Sequence, residues 1–253
     1  VNVILYQCFY DKSQIEHLDP VFTPYQNLKN SDPLLREYPM WKALYEEYKE
    51  TDFHWALLSW RWEAKTKLEA HIFRDWILSD PGYDMYHIDP FLDNPTNYPN
   101  LWMQGERWHP GMAQFCNKLF PKIGLNIKVE KLITNPIDFC TCNYVVGNKV
   151  WWGGYLSLLE DCIKIIKEDE ELNHYAFVKE VPYNGNMIHN FPFISERLMS
   201  LFNVLNPSIK INKFPIQWPN YKRMYGESHD QLVRNYFKRV EEYESAIERN
   251  RLN

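Results

Sequence analysis

Glycine is scarce, with nine residues in a chain of 253. A phosphate-cradling loop, of the G-x-x-x-x-G-K-[ST] or the G-x-G-x-x-G type, needs several glycines within a few positions. Only there can backbone N–H groups close on phosphate oxygens, and neither pattern occurs. No G-x-S-x-G is present, which excludes a hydrolase built on that strained strand-to-helix turn. No apolar run approaches the ~18 residues that a membrane-spanning helix requires, and no signal-peptide pattern is visible. Basic residues are dispersed, without a run of five. With a net charge of -5 and a pI near 5.9, the chain lacks the basic surface of a general nucleic-acid binder. Cys8, Cys116, Cys140, Cys142 and Cys162 are an odd count in apolar surroundings, so a disulfide framework is not expected. They read as reduced thiols of a cytoplasmic protein, with the inner face of the membrane reached only through a partner. Cys140-x-Cys142 lacks a second pair at zinc spacing. The chain opens at Val1 without methionine, which fits a processed product or a fragment of a longer protein.

What is abundant is aromatic surface: 16% of residues, including 10 Trp and 17 Tyr. Flat faces with a polar edge suit sugar rings and nucleobases, and they equally suit a core. Strands alternate with helices along the chain. Residues 3–9 read as a buried first strand, residues 23–24 as irregular chain, and Asp32-Pro33 as a helix start for a helix to about residue 49. Residues 55–60 form an apolar run without alternation, as in a strand buried on both faces. It changes within four residues into Arg61, Glu63 and Lys65, and a helix follows to residue 79.

Residues 84–88 read as a short strand, 101–123 as mostly helix and 127–133 as a further strand. Residues 143–146 form another, after which Asn148 caps a long helix. Residues 181–192 read as a loop, 193–205 as a helix and 209–216 as a last strand. Ser228 and Gln231 form a capping box for a final helix. The pattern predicts an α/β fold, a three-layer sandwich with a mainly parallel sheet, as one domain over residues 1–253. Residues 206–253 would form a strand and helix extension.

Ligands of open α/β sheets bind beyond the carboxyl ends of strands, so residues 59–65 are expected to form a wall of the active site. Asp89 sits at a strand end before a Pro/Asn loop, placed like a functional carboxylate or like a turn residue before proline. Glu106 and His109 have the i, i+3 spacing of one helical face and would suit proton transfer from a hydroxyl, or helix capping. Glu196 and Arg197 open a helix after the Asn184-Gly185 segment, where an internal ion pair is the alternative. No Asp-x-Asp occurs. Many nucleotide-sugar transferases place two such carboxylates on a divalent ion that bridges the pyrophosphate. Without that motif, Arg61, Lys65 or Arg197 would carry the charge, or Asp89 alone would hold a metal.

The order of these segments resembles the bacterial capsule and exopolysaccharide glycosyltransferase-like proteins. The matching segments are Glu37-Tyr38, Leu58-Ser59-Trp60-Arg61-Trp62, Gln104 with His109, residues 143–148, and Phe193-Ile194-Ser195-Glu196-Arg197-Leu198. The similarity spans residues 3 to about 205. The usual His-Tyr-Arg appears here as Ser59-Trp60-Arg61, so only the arginine carries over. The resemblance implies a GT-A-like, Rossmann-like fold that transfers a sugar from a UDP, GDP or dTDP sugar to a glycan or lipid-linked glycan. In that scheme Tyr6, Gln7 and Tyr38 help form the nucleotide pocket, and Arg61 and Lys65 face the diphosphate. Asp89, Glu106 or His109 serves acid–base catalysis, and Trp102, Glu196 and Arg197 bind substrate. A non-catalytic carbohydrate-binding protein and a two-carboxylate glycoside hydrolase are the rivals.

Overall fold

The computed structural model describes residues 2–28, 32–183 and 185–251. Six strands form one sheet in the order β2-β1-β3-β5-β4-β8. They are β1 (Asn2–Phe9), β2 (Thr23–Gln26), β3 (Phe53–Ser59), β4 (Met85–His87), β5 (Val145–Gly147) and β8 (Ile211–Lys213). β1 pairs in parallel with both β2 and β3, and β4 with β8, while β5 runs against β3 and β4. The sheet is therefore mostly parallel with one reversed strand. Two further strands, β6 (Glu180–Tyr183) and β7 (Asn186–His189), form a separate antiparallel hairpin.

Period-two alternation splits the strand side chains between two apolar cores. Trp55, Leu57, Met85 and Val145 face one side, packed by α1 (Tyr38–Tyr48), α5 (Leu101–Trp108), α6 (Met112–Lys122), α7 (Lys149–Glu168) and α9 (Phe191–Leu205). Ala56, Leu58, Tyr86 and Val146 face the other, packed by α2 (Trp62–Thr66), α3 (Ala70–Ser79), α10 (Pro219–Tyr225) and α11 (His229–Arg251). Two short helices, α4 (Asp93–Asn97) and α8 (Glu170–Asn173), complete the set described. Layered burial on both faces explains why β3 reads as an unbroken apolar run rather than an alternating one.

The long helix behaves as its sequence predicts. Asn148 Oδ1 accepts from the N–H groups of Val150 and Trp151 at 2.9 and 3.0 Å. Trp152 stacks on Trp55 at 4.1 Å and 5° and donates its indole N–H to the Trp55 carbonyl. A Cβ on Gly147 would stand 2.7 Å from the Trp151 ring, so the strand-to-helix junction needs glycine. Burying one such indole contributes about 2–3 kcal/mol.

Several expectations are corrected. Residues 23–24 begin edge strand β2, which pairs with β1. The Asp32 side chain caps a turn, accepting from the N–H groups of Leu34 and Leu35. The helix itself begins at Tyr38, because Arg36 at φ 52° breaks the run. Residues 101–123 are two helices, separated where Gly111 takes φ 98°. Residues 127–133 hold only a turn of 3-10 helix (Val129–Lys131). Residues 181–192 contain the β6–β7 hairpin, with Asn184 outside the described residues. Ser228 Oγ donates to the Tyr225 carbonyl instead of capping α11. After residue 205, β8 continues the main sheet through the pairs Met85–Ile211 and His87–Lys213.

Candidate functional site

β1 and β3 end side by side, with Cys8 opposite Ser59 and the Trp60 N–H donating to the Cys8 carbonyl at 3.0 Å. Tyr10, Ser59, Trp60 and Arg61 therefore emerge together at one sheet edge. Because β5 runs in reverse, its approach, residues 142–144, lies at that same edge. The β6–β7 hairpin and the first turn of α9 close the far side. A cleft of about 360 Å³ results, lined by strand-end residues, by Lys65 of α2, by Cys142 and Asn143, by Tyr183 of the hairpin, and by Phe193 and Glu196 of α9.

Its backbone is unusual where it bends into β5. Cys142 and Asn143 are consecutive residues at φ 63° and 59°. Asparagine tolerates this left-handed region, whereas for cysteine it costs of order 1 kcal/mol. The bend sets the Cys142 thiol 3.4 Å from the Lys65 ammonium. Burial pushes that thiol up to about 12, so it is a neutral hydrogen-bond partner and not a nucleophile. The Cys140 thiol instead meets the Asn203 side-chain amide.

Charge converges here. The Arg61 guanidinium lies 5.9 Å from the Trp60 ring and forms no salt bridge among the described residues. Lys65 sits 5.9 Å from the Tyr144 ring. Burial alone would lower its ammonium pKa, but the hydrogen bond to the Cys142 sulfur and the field of Glu196 outweigh that and raise it. Glu196 is half-buried, and its pKa is raised by desolvation against the opposing pull of Arg197 and Lys65. On the opposite wall Tyr10 donates to Glu37 at 2.9 Å. The cleft thus combines positive charge, two carboxylates and the aromatic faces of Tyr10, Trp60, Tyr183 and Phe193.

Of the residues singled out in the sequence, Arg61, Lys65 and Glu196 meet in this cleft. The others do not. Asp89 is sealed from solvent: it accepts from the Thr141 hydroxyl at 2.5 Å and the Phe91 N–H at 3.0 Å, and it faces the Lys213 ammonium at 3.6 Å. Glu106 accepts from the N–H groups of Gly111 and Ala113, anchoring the start of α6 rather than pairing with His109. His109 lies past the end of α5, stacked on Phe193 at 3.7 Å. Burial first, and then Arg197, lower its pKa to about 4, leaving it neutral.

Arg197 is a buried staple. It donates to the carbonyls of Leu101 and Phe193 at 2.8 Å and to the Gln104 amide oxygen at 2.5 Å. A Cβ on Gly105 would come within 2.6 Å of it, which explains that glycine. Trp102 is core, edge-on to Phe120. Tyr38 leaves the cleft to hydrogen-bond Glu160 of α7, and Tyr6 shares a 2.6 Å hydrogen bond with Tyr48. Both polar ends of the Gln7 amide are used, on the Ser59 carbonyl and the Asp19 N–H.

Sequence reasoning missed Tyr10, Cys142, Asn143 and Tyr183 as cleft residues. Asn184-Gly185 between two four-residue segments was the available signal for the hairpin that carries Tyr183. Among the described residues, no three His, Cys, Asp or Glu side chains converge as a metal site. No helix there is long and apolar enough to cross a membrane. No protein-family model, curated protein or solved structure matches the chain.

Proposed function

We propose that the protein is a glycosyltransferase, moving a sugar from a UDP, GDP or dTDP sugar to a growing surface polysaccharide or glycan acceptor. The observation that carries this reading is Arg61 beside Lys65 at the carboxyl ends of β1 and β3, neither of them salt-bridged among the described residues. Open α/β sheets bind ligands at such strand ends. A planar guanidinium and an ammonium together suit a diphosphate. A GT-A-like assignment and kinship with the capsule and exopolysaccharide glycosyltransferase-like proteins belong to the same proposal, as does a cytoplasmic location.

In this scheme Arg61 and Lys65 stabilise the negative charge that develops on the leaving diphosphate. Stabilisation of that kind, in a site that excludes water, is commonly the largest single contribution to catalysis. Glu196 replaces Asp89, Glu106 and His109 as the proton acceptor. It lines the cleft, and desolvation makes its carboxylate more basic than an exposed one. As the sugar's bond to the diphosphate breaks, the acceptor oxygen bonds to the anomeric carbon and its proton passes to Glu196.

A calorimetric screen against UDP, GDP, dTDP and their sugars tests the reading. At least one should bind, and more weakly to Arg61→Ala. Binding of glycans with indifference to every nucleotide would replace the transferase with a carbohydrate-binding protein. Turnover assayed with and without EDTA settles whether a divalent metal takes part.

A further inference from the structure

A second cleft, of about 490 Å³, adjoins the first and shares its Trp60–Arg61 wall. It lies between the 3-10 segment Lys12–His17, with the chain that follows it, and the start of α2. We propose that this second cleft holds the body of a neutral saccharide acceptor, whose reacting end crosses the Trp60–Arg61 divider to meet the donor. The inference rests on the transferase reading for the identity of its neighbour.

Three observations support it. The first is charge. In the first cleft Arg61 and Lys65 form no salt bridge among the described residues, which suits an anionic diphosphate. The second carries Arg61 and Lys67 against Glu16, Asp19 and Glu63, an excess of negative charge that disfavours one.

The second is the surface offered. The His17 ring stacks with Trp60 at 5.6 Å and 30°, so the divider presents an aromatic pair. The apolar face of a pyranose packs on such a surface, while its hydroxyls find acceptors in the exposed carboxylates of Glu16 and Glu63. The third is rigidity. The Gln7 amide, 1% exposed at the base of the cleft, spans from the Ser59 carbonyl to the Asp19 N–H, tying the β3 end to the loop that forms the opposite wall. A wall fixed on both sides limits the ordering cost of binding a flexible glycan.

The test is saturation-transfer NMR of the full chain with the methyl glycosides of glucose, galactose, mannose and N-acetylglucosamine, beside calorimetry with UDP, GDP and dTDP. At least one glycoside should receive saturation. The double variant Glu16→Gln, Glu63→Gln, altered only at exposed positions, should weaken that binding at least fivefold and leave nucleotide binding unchanged. Lys65→Ala should do the reverse. Absence of saturation for all four glycosides overturns the proposal. So does a loss of glycoside binding that follows Lys65→Ala and ignores the Glu16, Glu63 pair. If the glycosides behave as expected but no nucleotide binds, the saccharide cleft stands and the transferase reading falls.

Discussion

The carboxyl ends of β3 and β4 both place charged residues beyond the sheet, yet one opens into a cleft and the other is entombed. At the end of β3, Arg61 and Lys65 face a space of about 360 Å³. At the end of β4, Asp89 is fully buried against Lys213, and its backbone carbonyl accepts from the Tyr221 hydroxyl. Lys213 also donates to the Pro136 carbonyl at 2.9 Å and lies 5.1 Å from the Tyr236 ring. The difference lies in what the chain adds after residue 205. β8, α10 and α11 supply Lys213, Tyr221 and Tyr236, and together they roof the β4 end. A charge at a strand end is therefore a candidate only when nothing later in the chain covers it.

Breaking the sealed end should have the largest effect. Lys213→Met leaves Asp89 buried without its counter-charge and should cost about 3–5 kcal/mol in urea unfolding at pH 7. Adding Asp89→Asn to that variant should recover much of the loss. If the single variant costs under 1 kcal/mol, the pair is not coupled as described.

The open end should respond in activity rather than stability. Arg61→Ala is expected to lower donor turnover by about 10²-fold, with unfolding free energy within about 0.5 kcal/mol of the parent. Full turnover at saturating donor would remove Arg61 from the site.

A third comparison uses Asp138, whose carboxyl burial raises to about 7 against the opposing pull of Lys213. Its folded form holds a proton that the unfolded chain releases near pH 4. Its stabilising contribution is thus complete below pH 4 and lost as pH rises through about 7. Unfolding measured from pH 4 to pH 8 should show the parent losing a few kcal/mol relative to Asp138→Asn; parallel curves would contradict the buried-acid assignment. The smallest effect is expected from Glu106→Ala, which removes the acceptor of the Gly111 and Ala113 N–H groups. It should cost about 1 kcal/mol of stability and leave turnover unchanged.

The strands of the main sheet were legible where they are buried on both faces. β1 and β3 announce themselves as apolar runs, and Asn148 marks the start of α7 by its capping chemistry. The edges were harder to read. β2 carries the sequence Thr-Pro-Tyr-Gln, tolerable only because an edge strand leaves half its backbone unpaired.

Local spacing also misled at Glu106 and His109. α5 stops at Trp108, and His109 leaves it at φ -132° and ψ 74°, so the shared helical face never forms. Arg61, Lys65 and Glu196 were found because each sits beside a strand end or helix start. Asp89 satisfied the same rule. Only the long-range packing of residues 213–236 distinguishes it, and that is written in no local pattern.

The pairing of β4 with β8 joins residues 126 positions apart, Met85 with Ile211. During synthesis the ribosome must release more than a hundred further residues before the lysine that neutralises Asp89 emerges. Until then the outer edge of β4 lacks its β8 partner, although the other five strands of the main sheet all precede residue 148. Contacts of such sequence separation slow folding and lengthen the interval in which an open edge can meet another chain.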